Sequence, residues 1–134
     1  MTAENPKNAQ GRKKPPVHLV PPVAILSEAM VFALGAEKYG PYNWRDAGVP
    51  ASVYFSAAMR HLQSWWDGED LDPESGQPHL SHARACLAIV LDAKGLGKLL
   101  DDRPPAGSAA EFIAAILRDY EDAEIPRQLT GTAI

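Results

Sequence analysis

The sequence predicts an all-α protein, a compact helical bundle, and three observations indicate this fold class. Four segments carry apolar side chains at helical spacing, and none alternates apolar and polar residues over the length of a strand. Turn-forming residues separate the four segments. A chain of 134 residues has room for one main domain. We therefore expect a disordered polar arm at 1–16, a single helical domain at 17–122 and a tail at 123–134.

The first predicted helix runs from Pro22 to Tyr39. Proline suits the first turn of a helix, where its missing N–H costs no hydrogen bond. The sequence Gly40-Pro41 then stops the helix. An apolar stripe at helical spacing ends in a carboxylate and consists of Leu26, Met30, Ala33 and Glu37.

The second predicted helix begins near Ser52, a suitable N-cap residue, and ends at Trp66 or Asp67. The fourth spans about 108–122, where Ser108 and Glu111 have the spacing of a capping box. Between these two, the third helix spans about 78–94 and is apolar on nearly every face. Such a helix lies in the centre of a bundle or in a subunit interface, and we therefore expect a homodimer or homotetramer.

Composition excludes several classes of protein. The net charge of −4 disfavours stable nucleic-acid binding, and no apolar run approaches the roughly 20 residues of a membrane span. The start of the chain has no secretory or transit pattern. A single cysteine, Cys86, leaves no partner for an internal disulfide and fits a reducing compartment. We expect a cytoplasmic protein that does not contact membranes.

The loop between the second and third helices is the most informative segment for function. It contains four carboxylates and no Lys or Arg, namely Glu69, Asp70, Asp72 and Glu74. Carboxylates this close repel one another unless a cation joins them, and oxygen ligands suit Mg²⁺ or Mn²⁺. The alternative is a solvated acidic loop without a ligand.

Histidines flank the acidic loop on both sides. His61, Trp65 and Glu69 are spaced by four and share a face if the second helix continues, while His79 and His82 share a face of the third. A zinc site is not indicated, because HExxH and paired cysteines are absent.

The charge pattern also indicates a substrate class. A free triphosphate would be repelled by the acidic loop, whereas a metal–triphosphate complex would be attracted to it. Basic residues must balance the remaining phosphate charge, and those near the predicted helices are Lys38, Arg45, Arg60 and Arg84. Each is also consistent with ordinary surface charge.

Several short motifs in series resemble a phage family of dATP/dGTP diphosphohydrolases. The motifs cover about residues 14–94 and are Lys14-Pro15-Pro16-Val17-His18-Leu19-Val20-Pro21-Pro22, Gly35-Ala36-Glu37-Lys38-Tyr39-Gly40, Asn43-Trp44-Arg45, Arg60-His61-Leu62, Trp65, Gly68-Glu69, Asp72, Glu74, Gly76 and His79-Leu80-Ser81-His82-Ala83. The resemblance implies the all-α nucleotide pyrophosphohydrolase (MazG-like) fold. One departure is that the EExxE and ExxD motifs of the wider MazG group are absent in that form.

The resemblance implies hydrolysis of a purine deoxynucleoside triphosphate, with dGTP giving dGMP and pyrophosphate. In a phage this step feeds synthesis of 2-aminoadenine nucleotides in the cytoplasm of the infected bacterial host. We expect about two or three Mg²⁺ or Mn²⁺ ions per site. Metal ligands are expected among Glu37, Glu69, Asp72 and Glu74, and catalytic roles for Glu69, Asp72 and His79. Substrate-binding roles are expected for Lys38, Asn43, Trp44, Arg60, His61, Trp65 and His82.

Two alternatives remain open. One is a related helical pyrophosphohydrolase that acts on dATP or another nucleotide. The other is a non-enzymatic helical protein whose acidic loop contacts a partner. A metal requirement distinguishes an enzyme from such an adaptor.

Overall fold

The structure is a computed structural model, and it describes residues 3–123. This part of the chain is mostly helical, and the predicted all-α class is confirmed. Its elements are α1 (Pro6–Gly11), a 3-10 turn (Val17–Leu19), α2 (Pro22–Tyr39), α3 (Trp44–Ala47), β1 (Val49–Pro50), α4 (Ala51–Trp66), α5 (His79–Gly95), β2 (Leu99–Leu100) and α6 (Ala109–Asp122).

Contacts divide the chain into two units, at residues 1–102 and 103–134. The first unit holds α1 to α5 and both strands, and the second holds α6. The side chain of Ser108 makes no capping hydrogen bond at the start of α6, so the capping box is not formed. The single domain at 17–122 stays a prediction, and all of the expected tail except residue 123 lies outside the described residues.

Helix α5 is the centre of the first unit, because α2, α3, α4 and both strands all contact it. Apart from His79, its buried residues are small, and they are Ser81, Ala83, Ala85 and Ala93, which let the neighbouring backbones approach closely. The larger Leu87 and Leu91 are exposed. Helix α5 therefore has two apolar surfaces, and the described elements of the first unit cover one of them.

The deepest packing lies where α3 and β1 meet the end of α5. Trp44, Val49 and Ala93 form the buried cluster. Around them pack the half-buried side chains of Phe32, Tyr54, Ile89, Val90 and Leu99. This cluster fixes the segment between α2 and α4 against α5, and that segment borders the cavity described below.

The two strands were not predicted. They form a two-residue parallel pair with Val49 opposite Leu99, which is too short to show alternation in the sequence. Gly48 precedes β1 at a φ of 84°, and a Cβ there would lie 3.3 Å from the carbonyl oxygen of Lys98. Glycine meets both demands at this crossing.

Three sequence expectations differ from the structure. The polar arm contains α1, where the Asn5 side chain accepts from the Lys7 N–H and Pro6 occupies the first turn. Helix α4 begins at Ala51 with Pro50 in the N-cap position, so Ser52 lies in the first turn, where its N–H donates to Asp102 Oδ1 at 2.7 Å. A carboxylate at this end of the helix also favours the helix dipole.

The third difference is the orientation of α2. The predicted stripe faces outward, since Leu26 is 66% exposed and Met30 and Ala33 are exposed too. The face against α5 carries Ser27, whose hydroxyl is hydrogen-bonded to that of Ser81. An apolar stripe shows that a helix has a surface to bury, and the described helices of the first unit leave this surface exposed.

None of the helices in residues 3–123 combines the length and the apolar content that crossing a membrane requires.

Candidate active site between α4 and α5

The acidic loop between α4 and α5 folds back on itself. The Asp72 N–H donates to the Gln77 carbonyl at 2.9 Å, and the Gly76 N–H donates to the Asp72 carbonyl at 2.7 Å. The His79 N–H donates to the Asp70 carbonyl at 3.0 Å. These bonds close the loop over the start of α5 and place Asp72 beside the histidines.

Three side chains meet there as a group that we call the histidine–aspartate site: His61 of α4, Asp72 of the loop and His82 of α5. One potential ligand atom from each lies within 4.8 Å of the others. The rings of His61 and His82 stack with centroids 4.4 Å apart and planes 6° apart. His82 Nε2 lies 3.5 Å from Asp72 Oδ2 and 2.7 Å from the Ser75 hydroxyl. All three side chains are half-buried, so the site is partly open to solvent.

A third histidine, His79, lies behind this site. His79 is only 4% exposed, and its Nε2 lies 2.6 Å from Glu69 Oε1. Its Nδ1 lies 2.8 Å from His61 Nδ1. The ionised Glu69 carboxylate can only accept a hydrogen bond, so the proton lies on His79 Nε2 and a neutral His79 has an unprotonated Nδ1. His61 Nδ1–H then donates to it, and His61 Nε2 keeps its lone pair.

Electrostatics favour neutral imidazoles in the histidine–aspartate site. Burial lowers the pKa of His61, and the neighbouring His82 lowers it further. Burial also lowers the pKa of His82, although Asp72 opposes this effect. Neutral imidazole is the form that binds a metal ion.

The donor set fits a divalent transition metal. Two imidazole nitrogens with one carboxylate suit Mn²⁺ better than Mg²⁺, which prefers oxygen ligands. A ligating histidine usually has a hydrogen-bond partner behind it, and here His79, which is itself bonded to Glu69, takes that place behind His61. The sequence assigned His61 and His82 to substrate binding, whereas their geometry here fits metal binding.

The other predicted carboxylates lie outside the histidine–aspartate site in different ways. Glu69 contacts His79, as described. Glu74 is 84% exposed in its side chain, lies 4.0 Å from Lys38 Nζ, and donates its N–H to Asp72 Oδ1 at 3.0 Å. Glu37 lies on the exposed face of α2. Of the four predicted carboxylates, the structure brings Asp72 directly to the histidines.

Two basic side chains lie close enough to act on this site. The charge of Lys38 lowers the pKa of His82, and the charge of Arg60 lowers that of His61. Arg84 is paired with Glu28 at 3.2 Å, and Arg45 is paired with Asp92. Of the four predicted basic side chains, Lys38 and Arg60 are therefore the two whose charge reaches the histidine–aspartate site, and Lys38 also has a long 4.0 Å contact with Glu74.

A cavity of about 820 Å³ begins at His82 and extends along α2 and α5. It is mainly apolar, and burial raises the pKa of the Cys86 thiol and the Tyr54 phenol in its wall. The volume falls within the range of small-molecule sites. Aromatic and polar groups in its lining include Phe32, Tyr39, Tyr42, Asn43, Trp44, Tyr54 and Asp92.

Among the predicted base-binding residues, Asn43 and Trp44 line this cavity. Trp44 is nearly buried, and its Nε1–H donates to Asp92 Oδ2 at 2.7 Å, so it forms part of the wall. Trp65 lies outside the cavity and packs beside Trp66. Sequence reasoning did not single out Ser75 or Tyr42. A serine before a turn glycine, as in Ser75-Gly76, is too common to indicate a functional role. The one feature that could have indicated a role for Tyr42 is its position between Pro41 and Asn43, one of the predicted binding residues.

Comparisons with known proteins relate the chain to one family. The sequence model of a family described as "dATP/dGTP diphosphohydrolase, N-terminal" matches residues 4–103. A dATP/dGTP diphosphohydrolase of Salmonella phage PMBT28 is 32% identical over 91 residues. Those residues are 68% of this chain and 29% of the relative, so the match spans under a third of the relative's length. No solved structure is significantly similar to the chain.

Proposed function

The chain belongs to the dATP/dGTP diphosphohydrolase family, and on that premise we propose that it hydrolyses a purine deoxynucleoside triphosphate. The preferred substrate is dGTP, and the products are dGMP and pyrophosphate. In a phage this step would feed the synthesis of 2-aminoadenine nucleotides. The observation that carries the proposal is the continuity of the histidine–aspartate site with the apolar cavity, which meet at His82.

His61, Asp72 and His82 would hold a divalent cation, with Mn²⁺ favoured. Bound there, it would supply positive charge to the triphosphate oxygens and activate water for attack on the α-phosphate.

The chain's own residues would bind and orient the substrate. Lys38 and Arg60 would neutralise phosphate charge that the cation leaves unbalanced. Glu69 and His79 would hold His61 in the tautomer that keeps Nε2 unprotonated. The cavity would take the deoxyribose and base, which places the α-phosphate near His82. Attack on this phosphorus in line with the leaving pyrophosphate yields the monophosphate.

The exposed stripe of α2 supports a proposal about assembly. Val23, Leu26 and Met30 lie together on the outward face of that helix and are exposed. Leu87 and Leu91 add an exposed apolar surface on α5. Monomeric proteins rarely expose contiguous apolar patches of this kind, and a homodimer or homotetramer would cover them.

Product analysis tests the reaction. Purified protein is incubated with dGTP, dATP, dCTP or dUTP and with Mn²⁺ or Mg²⁺, and the products are separated by chromatography. We expect dGMP and pyrophosphate in equal amounts and only in the presence of metal. Release of orthophosphate and a nucleoside diphosphate would show attack at the γ-phosphate and would refute the proposal. A metal-independent adaptor would give no product at all.

A matched pair of variants tests the site. Asp72→Asn keeps the shape of the side chain and removes its charge, so turnover and Mn²⁺-dependent stabilisation should both be lost. Asp70→Asn is the control, because Asp70 belongs to the same acidic loop but its side chain lies outside the histidine–aspartate site. Equal loss in both variants would mean that the loop acts through its total charge, and not through one ligand.

A further inference from the structure

Tyr42 stands out at the rim of the cavity. It is the one non-glycine residue with positive φ among the described residues, at 56°. Its ring is not withdrawn into the core, since the residue is 57% exposed and lines the cavity. A bulky side chain in this backbone conformation is costly, and such strain persists only where the surroundings fix it.

The surroundings of Tyr42 do fix it. The guanidinium carbon of Arg45 lies 4.4 Å from the centroid of the Tyr42 ring, a cation–π distance. Trp44 lies 5.2 Å from the same ring, centroid to centroid, with the planes tilted by 44°. Arg45 and Trp44 are themselves tied to a single carboxylate.

That carboxylate is Asp92, on α5. Arg45 Nε donates to Asp92 Oδ2, and Arg45 Nη2 donates to Asp92 Oδ1, each at 2.9 Å. The Trp44 indole N–H also donates to Oδ2. The hydrogen bonds from Arg45 and Trp44 lower the pKa of Asp92, so this carboxylate is ionised at neutral pH. Three hydrogen bonds to Asp92 therefore hold Arg45 and Trp44, the two side chains that contact the Tyr42 ring.

Spacing along α5 relates this aromatic to the histidine–aspartate site. Asp92 follows His82 by ten residues on one continuous helix, which is about 15 Å along its axis. The cavity runs between these two points and is lined by both residues. A base at Tyr42 and phosphates at His82 would lie at opposite ends of one continuous space.

We propose that Tyr42 is the platform on which the purine base of the nucleotide stacks, with Arg45 on one face of the ring and the base on the other. Arg45 and Asp92 are positioning residues for this platform. The proposal rests on the proposed function and adds to it the place and the residue that bind the base. Because every base presents a π-face, Tyr42 supplies affinity and favours the larger purines, without distinguishing dG from dA.

The strain at Tyr42 makes a sharp test possible. Tyr42→Gly removes the ring and relieves the positive φ, so the free protein should be as stable as the parent or more stable. A residue kept for structure would give the opposite result. Tyr42→Phe keeps the ring and loses only the hydroxyl. The matched control is Trp66→Ala, which removes an aromatic side chain that is 84% exposed outside the cavity.

Binding of dGMP is measured by calorimetry in EDTA, so that neither metal nor turnover contributes. Tyr42→Ala and Tyr42→Gly should bind about tenfold more weakly, the size of one base–aromatic stack. Tyr42→Phe and Trp66→Ala should stay within twofold of the parent. With dGTP and Mn²⁺, KM should rise in the Ala and Gly variants while kcat changes less.

Parental dGMP affinity in Tyr42→Gly would overturn the platform. The platform would also be refuted if the Tyr42 variants lost dGMP binding only when they lost stability. A third refuting outcome is a parent protein that binds no dGMP because a second copy of the chain fills the cavity. Light scattering of a Tyr42→Glu variant identifies that last case, because its mass would fall. A parent that binds dGMP through Tyr42 but releases no pyrophosphate from any nucleotide would refute the proposed reaction and leave the platform standing.

Discussion

The hydrogen bond between Glu69 and His79 allows a quantitative test of how the site is built. The change Glu69→Gln keeps the length and shape of the side chain and removes its charge. An acidic loop that only suffers from repulsion would gain stability from the change. Instead, Glu69 Oε1 accepts from a histidine that is buried, at 2.6 Å, so we expect a loss in the metal-free protein.

The size of the loss follows from the type of bond. A hydrogen bond to a charged group contributes about 1.5–3 kcal/mol and one between neutral groups about 0.5–1.5 kcal/mol. Replacing the charged acceptor by a neutral one therefore costs about 1–1.5 kcal/mol, the difference between the two ranges at their lower and upper ends. Because Glu69 is itself half exposed, we expect the free energy of unfolding to fall by the smaller of these values, about 1 kcal/mol.

The effect on metal binding should be larger. The Gln amide can donate to His79 Nε2, and His79 Nδ1–H would then donate to His61 Nδ1. That exchange moves the His61 proton to Nε2 and removes its lone pair. Loss of a partner behind a ligand weakens metal binding about 10–100-fold. At a fixed Mn²⁺ concentration above the dissociation constants, stabilisation by the metal should fall by about 1.4–2.7 kcal/mol.

Urea unfolding in EDTA and in Mn²⁺ measures both quantities. The control is Glu74→Gln, which removes a charge from the same loop at a residue whose side chain is mostly exposed. It should change the metal-free stability little. If Glu69→Gln and Glu74→Gln change stability equally in both buffers, the hydrogen bonds from Glu69 through His79 to His61 do not orient the metal ligand, and the proposed role of Glu69 is refuted.

Three further predictions concern pH, assembly and metal choice. Burial lowers the pKa of His61 and His82 in the fold, so the unfolded chain binds more protons than the folded one below the ordinary histidine pKa of about 6.5, and the stability of the metal-free protein should fall as the pH drops below that value. Urea unfolding midpoints are measured from pH 8 to 5. Midpoints that stay constant in the parent, or that fall by the same amount in His61→Gln, would contradict this. Light scattering at micromolar concentration should give a mass of at least twice 14.5 kDa, and Leu26→Glu should lower it, whereas a parental mass of 14.5 kDa would exclude assembly. Calorimetric titration of the metal-free protein should give tighter binding of Mn²⁺ than of Mg²⁺, since two imidazoles are in the donor set; the reverse order would mean that carboxylates alone bind the ion.

Helix boundaries could be predicted because their signals are local. Gly40-Pro41 ends α2 at Tyr39, as expected from residues that cannot continue a helix. The ends of α4 and α5 lie within one or two residues of the predicted ones. The outward turn of α2 could not be predicted, since an apolar stripe does not indicate whether its partner lies in the same chain.

The sequence drew attention to the residues of the candidate site, but it could not predict how they are arranged. Spacing places His79 and His82 on one helix and His61 on another, but the contact of His61 with both depends on how α4 packs against α5. Helical spacing also put Glu69 on the face of His61, whereas α4 ends at Trp66. A turn closed by the Glu69 N–H on the Ser64 carbonyl, at 3.0 Å, then carries Glu69 to His79.

The four acids of the loop are therefore not equivalent, although the sequence presents them as one cluster. Asp72 lies 3.5 Å from one of two stacked imidazoles, and Glu69 accepts a hydrogen bond from the buried His79. Glu74 lies outward beside Lys38, and Asp70 contributes its backbone carbonyl to the turn. Glu69 and Asp72 thus have polar partners, His79 and His82, in a loop without Lys or Arg. Both histidines lie on α5, so these two contacts depend on how the loop folds back over the start of that helix.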